Sequence, residues 1–287
     1  MRNDRINCLT ADLTGRLADT MKTITALPDA LPAVVPVISS PSWALLGIEP
    51  LRAAMEYASC RLMDRSGHPP GDGHPVVVFP GLAADAQSIA PLVGFCHGLG
   101  YEARDWGRGI NTGPTGDIDL WLDTLTADIE ALVAAHRQPV SLIGWSLGGI
   151  YAREVAKRIS LPVRQVITIG TPITGEAAQT NVSLIYRWVN GTLPVLENAF
   201  KARLLTAPDV PTTSIYSRSD GVVAWQACLQ PDDHPMIENV EVDGSHCGLC
   251  WNPAVLKVVA DRLAHSPGAW RPYTAQGAAP QMPLPAN

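Results

Sequence analysis

No stretch of this sequence is long and apolar enough to span a bilayer. A membrane helix needs roughly 20 consecutive apolar residues, and the segment from Leu31 to Ile38 is short and broken by Pro32 and Pro36. The opening residues, Met1 to Cys8, lack the uninterrupted apolar core of a signal peptide, and acidic Asp12 and Asp19 follow soon after. A cytoplasmic protein is the expectation. Positive charge is also in short supply: 21 Lys and Arg against 27 Asp and Glu give a net charge of −6, which offers no basic groove for nucleic acid. The six cysteines, at positions 8, 60, 96, 228, 247 and 250, are scattered and in a cytoplasm would stay reduced. The pair in Cys247-Gly248-Leu249-Cys250 has no further ligands to complete a zinc site and no thioredoxin-like context. Neither a metal nor a cofactor is expected.

What is present suits a folded, enzyme-sized core: 287 residues, 46% hydrophobic and 17% charged. From Val76 onward, short apolar runs alternate with helical periodicity. Val76 to Phe79 reads as a strand buried on both faces, Asp85 to Leu99 as a helix, Tyr101 to Trp106 as a weaker strand and Asp117 to Arg137 as a helix. Val140 to Ile143 and Val163 to Ile169 continue the strands, with a helix between them; Thr212 to Tyr216 and Val240 to Val242 complete the set, and Ala254 to Ala264 is a last helix. This βαβα order predicts an α/β fold: a mostly parallel, twisted sheet with helices on both faces.

Three segments stand outside that pattern. Residues 1–72 read as an N-terminal extension, with five prolines between Leu27 and Pro50 and then an amphipathic helix from Pro50 to near Arg65, on which Leu51, Ala54, Met55, Ala58 and Leu62 share one face. Such a helix can pack on the main domain, or serve as a lid, a membrane or lipid-surface contact, or a dimer element. Residues 73–265 form the main domain, in which the alternation lapses at 173–210, the place for a small lid or cap. Residues 266–287, rich in Pro, Ala and Gly, read as a flexible tail. Oligomeric state is not legible.

The strand Val140 to Ile143 runs directly into Gly144-Trp145-Ser146-Leu147-Gly148-Gly149, a Gly-x-Ser-x-Gly between a strand and a helix. That order is the nucleophile elbow, in which small residues allow the strand and helix to approach and the serine sits on a strained turn. A serine hydroxyl needs a base, and the base needs a carboxylate to fix its tautomer. Asp220 follows the strand ending at Tyr216, and His246 follows the strand ending at Val242 through Asp243-Gly244-Ser245. Asp209, Asp232 and Asp233 are weaker candidates for the acid, and His234 is the fallback for the base. For the oxyanion hole, Leu147 supplies one backbone N–H at the start of a helix, where the dipole favours an anion. Leu82, in Pro80-Gly81-Leu82 after the first strand, supplies the other. Trp145, Ile173, Tyr186 and Trp188 are candidates for lining the substrate pocket.

Pro80-Gly81-Leu82, the elbow, Ile169-Gly170-Thr171-Pro172, Ser219-Asp220-Gly221-Val222-Val223 and Gly244-Ser245-His246 together resemble, over roughly residues 74–265, the α/β-hydrolase superfamily and its compact bacterial lipase and esterase group. The resemblance implies an α/β-hydrolase fold and a serine hydrolase acting on a small-molecule acyl ester through an acyl-enzyme, and Trp145, Tyr186, Trp188 and Leu196 suggest an apolar acyl group. An acyltransferase or thioesterase would use the same triad, and a non-catalytic binding protein could share the fold. The chain departs from the group at Ile173, where such lipases often carry His, and in showing no strand before Val76.

Overall fold

The structure is a computed structural model that describes residues 40–174, 198–230 and 235–274, all within one unit, Ile38–Asn287. The expected positions of Tyr186, Trp188 and His234, most of the N-terminal extension, and the tail beyond 274 lie outside the described residues.

Six strands form one sheet: β1 (Pro75–Phe79), β2 (Glu102–Asp105), β3 (Val140–Trp145), β4 (Val163–Ile169), β5 (Thr212–Tyr216) and β6 (Ile237–Glu241). Their order is β2-β1-β3-β4-β5-β6, and every neighbouring pair is parallel. Among the described residues no strand precedes Pro75.

The helices are α1 (Trp43–Leu62), α2 (Ala86–Leu99), α3 (Ile118–Val133), α4 (Leu147–Ala156), α5 (Asn198–Leu205) and α6 (Pro253–Leu263). The alternating residues of buried strands feed two apolar layers, as the two-residue period of a strand requires. Val76, Val78, Ile143, Ile167 and Ile215 pack with Ile89, Leu92 and Phe95 of α2 and Val255, Leu256 and Val259 of α6. Val77, Phe79, Leu142 and Val166 pack with Leu122, Leu125 and Ile129 of α3 and Ala152 and Val155 of α4. Caps fix where helices start: Asp85 accepts from Ser88 N, Asp117 from Asp119 N and Leu120 N, and Asn252 from Ala254 N and Val255 N.

Three features differ from the sequence reading. The N-terminal helix begins at Trp43 behind a Ser42 cap, with Pro50 inside it. Its Leu51 (65% exposed), Met55 (62%) and Leu62 (87%) face outward, whereas Glu49 (2%) and Ala53 (6%) are buried. The face that docks is the charged one, because Glu49, Arg52 and Glu56 find hydrogen-bond partners in the main domain that offset the cost of burying them. Residues 198–205, expected in the lid, form α5, whose Phe200 and Leu204 enter the core beside α3 and α4; buried Arg153 holds it by donating to Leu204 O at 2.9 Å. The first residues of the expected flexible tail are tied down. Arg262 donates to Arg271 O and pairs with Glu238, which also accepts from Tyr273 N.

Candidate active site

Strand order reverses between β1 and β3, and in an open parallel sheet the crevice at the carboxyl ends of such a switch point is where ligands bind. The loop after β1, the loop after β3 and the loops after β5 and β6 all open at those ends.

Ser146 sits between β3 and α4 at φ 53°, ψ −123°, a conformation that L-residues disfavour. The surrounding turn over-determines it. Ser146 N donates to Ile169 O at 2.8 Å, and Gly149 N donates to Ser146 O at 3.0 Å. A Cβ on Gly144 would collide with the backbone of Gly148 and Gly149, and one on Gly148 with the carbonyls of Phe79 and Pro80. The small residues of the elbow are therefore required by close backbone approach.

Asp220 lies on the loop after β5. One carboxylate oxygen accepts from the N–H groups of Val222 and Val223, at 2.8 and 2.7 Å, which leaves the other directed at His246 Nδ1, 2.7 Å away. His246 Nε2 in turn lies 3.0 Å from Ser146 Oγ. The three residues are 3%, 5% and 5% exposed, respectively Asp220, His246 and Ser146. With Nδ1–H donating a hydrogen bond to Asp220, the neutral imidazole presents the Nε2 lone pair to the serine hydroxyl. Burial pulls the His246 pKa down, but the charge and hydrogen bond of Asp220, with the charge of Glu49, outweigh it and raise it above 6.5.

The histidine main chain is fixed as well. Trp145 Nε1 donates to His246 O at 3.1 Å, and the Trp145 indole lies with its centroid 5.8 Å from the imidazole. Ser217 Oγ donates to Gly244 O at 2.8 Å, joining the acid and histidine loops.

Leu147 is the first residue of α4, so its N–H has no partner inside the helix. Gly81 packs against the elbow: a Cβ there would lie 3.1 Å from the Trp145 ring and 3.3 Å from Ser146 Cβ. Next to it, the loop carrying Leu82 is shaped by Asn111, a residue the sequence reading passed over. Asn111 Nδ2 donates to Pro80 O at 2.8 Å, its carbonyl accepts from Ala83 N at 2.7 Å, and its N–H donates to Ala84 O at 2.8 Å. Its position in the glycine-rich run Gly107 to Gly113 is the only signal the sequence held. Ile173 is fully buried, and its N–H bonds Ala227 O at 2.8 Å.

A second Ser-His-Asp arrangement exists at the opposite end of the sheet. His74 Nδ1 is 2.6 Å from Asp72 and its Nε2 is 2.8 Å from Ser141 Oγ. Ser141 and His74 are completely buried, Arg164 shares Asp72 at 2.7 Å, and burial lowers the His74 pKa. This array joins β1 to β3 and β4 and has no surface to offer a substrate.

Among the described residues no group of three or more His, Cys, Asp or Glu could hold a metal ion, and no helix is long and apolar enough to cross a membrane. Cys247 and Cys250 are free thiols. Burial, with the charges of Glu49, Asp220 and Glu56, pushes the Cys247 thiol up to about 12.

No family model matches the chain, and no curated protein sequence matches it. Solved structures do. Over 71% of its length the chain is similar to Aspergillus fumigatus lipase B, at 18% identity and a TM-score of 0.55, although it covers only 56% of that lipase. Over 68% it is similar to an alpha/beta superfamily hydrolase from Oenococcus oeni, at 18% identity and a TM-score of 0.54, covering 94% of that chain. Over 70% it is similar to the mature Bacillus licheniformis lipase BlEst2, at 17% identity and a TM-score of 0.53, covering 96% of that chain.

Proposed function

We propose that this chain, an α/β-hydrolase by fold, is a serine hydrolase that cleaves carboxylic esters through an acyl-enzyme. The observation that carries this reading is the connected line from Asp220 to His246 to Ser146, at 2.7 and 3.0 Å, set at the carboxyl ends of the sheet with the serine on a strained turn.

In this reading His246 takes the proton as Ser146 Oγ attacks the ester carbonyl, and Asp220 stabilises the imidazolium that forms. The negative charge that develops on the carbonyl oxygen is met by the N–H groups of Leu147 and Leu82. Each such donor is worth roughly 10²–10³ in rate in related chemistry. His246 then returns its proton to the departing alcohol, leaving the acyl group on Ser146. Water, deprotonated by the same histidine, releases the acid.

The half-buried Trp145 indole beside the imidazole provides an apolar wall next to the nucleophile, which favours an apolar acyl group. The same apparatus can act on a thioester or pass the acyl group to an alcohol. The test is a panel of chromogenic esters and acyl thioesters of increasing chain length, with products analysed with and without an added alcohol. The reading expects ester cleavage to free acid, improving as the acyl chain lengthens. Absence of turnover across the whole panel would overturn it.

A further inference from the structure

We propose that Glu49, on α1 and outside the triad, is a positioning residue for the reaction: its carboxylate ties the acid loop to the histidine loop and holds His246 in line between Asp220 and Ser146. The proposal rests on the triad reading given above.

Glu49 is 2% exposed, and its two oxygens accept from three backbone donors in two different loops. One oxygen accepts from Gly221 N at 2.8 Å and from His246 N at 3.0 Å. The other accepts from Cys247 N at 3.0 Å. Gly221 directly follows Asp220, so one carboxylate grips the main chain next to the acid and at the base itself. With Trp145 holding His246 O, the histidine backbone is fixed through both its N–H and its carbonyl.

The rest of the docked face of α1 does the same work nearby. Glu49, Arg52 and Glu56 are spaced i, i+3 and i+7, which puts them on one side of a helix. Arg52 donates to Ser219 O and, at 2.7 Å, to Ser219 Oγ in the acid loop, and lies 3.5 Å from Asp243. Glu56 accepts from Ser245 N at 2.7 Å and Ser245 Oγ at 2.8 Å in the histidine loop. A Cβ on Gly248 would collide with the Glu56 carboxylate, so the loop is built to admit it. A buried charge that serves only to attach a helix needs one set of partners. This face instead finds its partners in the two loops that carry Asp220 and His246.

A merely structural Glu49 would affect stability alone. A positioning Glu49 also affects turnover and its pH dependence, because its charge favours the imidazolium form of His246. The charges that bear on that imidazole are those of Asp220 from the acid loop and Glu49 from α1; Arg52 and Glu56 of α1 bond the same two loops at Ser219 and Ser245, and Cys247 follows His246 in its own loop.

The experiment uses the full chain and compares Glu49→Gln, Glu49→Asp and Ser146→Ala with the unaltered protein. kcat and KM for a short-chain chromogenic ester are measured from about pH 5 to about pH 9, with folding followed by circular dichroism. Glu49→Gln keeps the side-chain length and removes the charge and one acceptor. The proposal expects its kcat to fall ~10-fold or more while KM stays within about twofold, since misplacement alters the reacting geometry more than binding. It expects the acid limb of the profile to move to lower pH by about half a unit or more. Glu49→Asp keeps the charge but shortens the reach, and should restore the limb while kcat stays reduced. A folded Glu49→Gln with unaltered kcat and acid limb, beside an inactive Ser146→Ala, would overturn the proposal and leave the triad reading standing. If Glu49→Gln fails to fold, unaltered kcat in Glu49→Asp would overturn it. Full turnover in Ser146→Ala would overturn the triad reading itself.

Discussion

His246 Nε2 lies 3.0 Å from Ser146 Oγ, although 100 positions separate the two residues in the chain. The contact exists because β3 and β6 end on the same edge of a parallel sheet, so the loops beyond them meet. It also sets a condition for the proposed reaction: the imidazole must be neutral to take the serine proton.

The proposed reaction should therefore depend on pH with a definite sign. Burial lowers the His246 pKa, and Asp220 and Glu49 raise it by more, so that it stands above 6.5. Below that value the base is protonated and cannot act. kcat/KM should rise with pH through a midpoint above 6.5 and then level off, and a pH–rate profile checks this. A profile flat from about pH 5 to about pH 8 would remove His246 as the base. Asp220→Asn should leave the fold intact and lower kcat roughly 10⁴-fold, by analogy with the effect of losing the orienting carboxylate in a triad.

Asn111 is expected to matter through the loop it shapes. Asn111→Ala removes the donor to Pro80 O and loosens the segment that carries Leu82, which keeps its two main-chain bonds to residue 111. kcat should fall ~10-fold with little change in KM, because a misplaced oxyanion donor is missed mainly in the transition state. Steady-state kinetics beside a thermal melt separate this from unfolding; an unchanged kcat in a folded variant would contradict it.

The elbow is predicted to be intolerant of bulk. Gly148→Ala would drive a methyl group into the carbonyls of Phe79 and Pro80, where the first turn of α4 meets the end of β1. Overpacking of this kind costs about 1–3 kcal/mol. Urea denaturation should show a lower midpoint, and an unaltered midpoint would mean the elbow can relax.

The site was legible in the sequence where chemistry and strand ends coincide. Ser146, Asp220 and His246 each lie just past a short segment with strand character, and the order of those segments is what a parallel sheet imposes. The N-terminal helix was misread for a physical reason. Pro50 favours the first turn of a helix, so it marks a natural start, yet here it tolerates an interior position at the cost of the N–H that Leu46 O would have accepted. Starting the helix at Pro50 leaves Glu49 outside it, and ranking faces by apolar content turns the helix outside in. Periodicity cannot report that Glu49 and Glu56 will find backbone donors, and Arg52 acceptors, in loops 167 to 198 positions away. Asn111 was missed for a similar reason: its partners lie along the loop after β1, and no spacing in the sequence announces them.

Ser141 provides an internal control, since it lies within hydrogen-bond distance of a His-Asp pair, as Ser146 does, but at the opposite end of the sheet, where it is completely buried. Ser141→Ala should leave ester turnover within about twofold of the unaltered protein. It should lower thermal stability, because removing one partner of a buried hydrogen bond costs about 1–3 kcal/mol. Loss of turnover without loss of stability would mean that the second array takes part in the chemistry.

The most direct measurement is covalent capture of the nucleophile. The protein would be treated with a fluorophosphonate, which phosphonylates activated serine hydroxyls with loss of fluoride, and the modified peptide located by mass spectrometry. The account predicts one modified residue, Ser146, with labelling abolished in Ser146→Ala, intact in Ser141→Ala and strongly slowed when His246 is replaced by alanine. Ester turnover that persists in Ser146→Ala, or stoichiometric labelling at another residue, would contradict it.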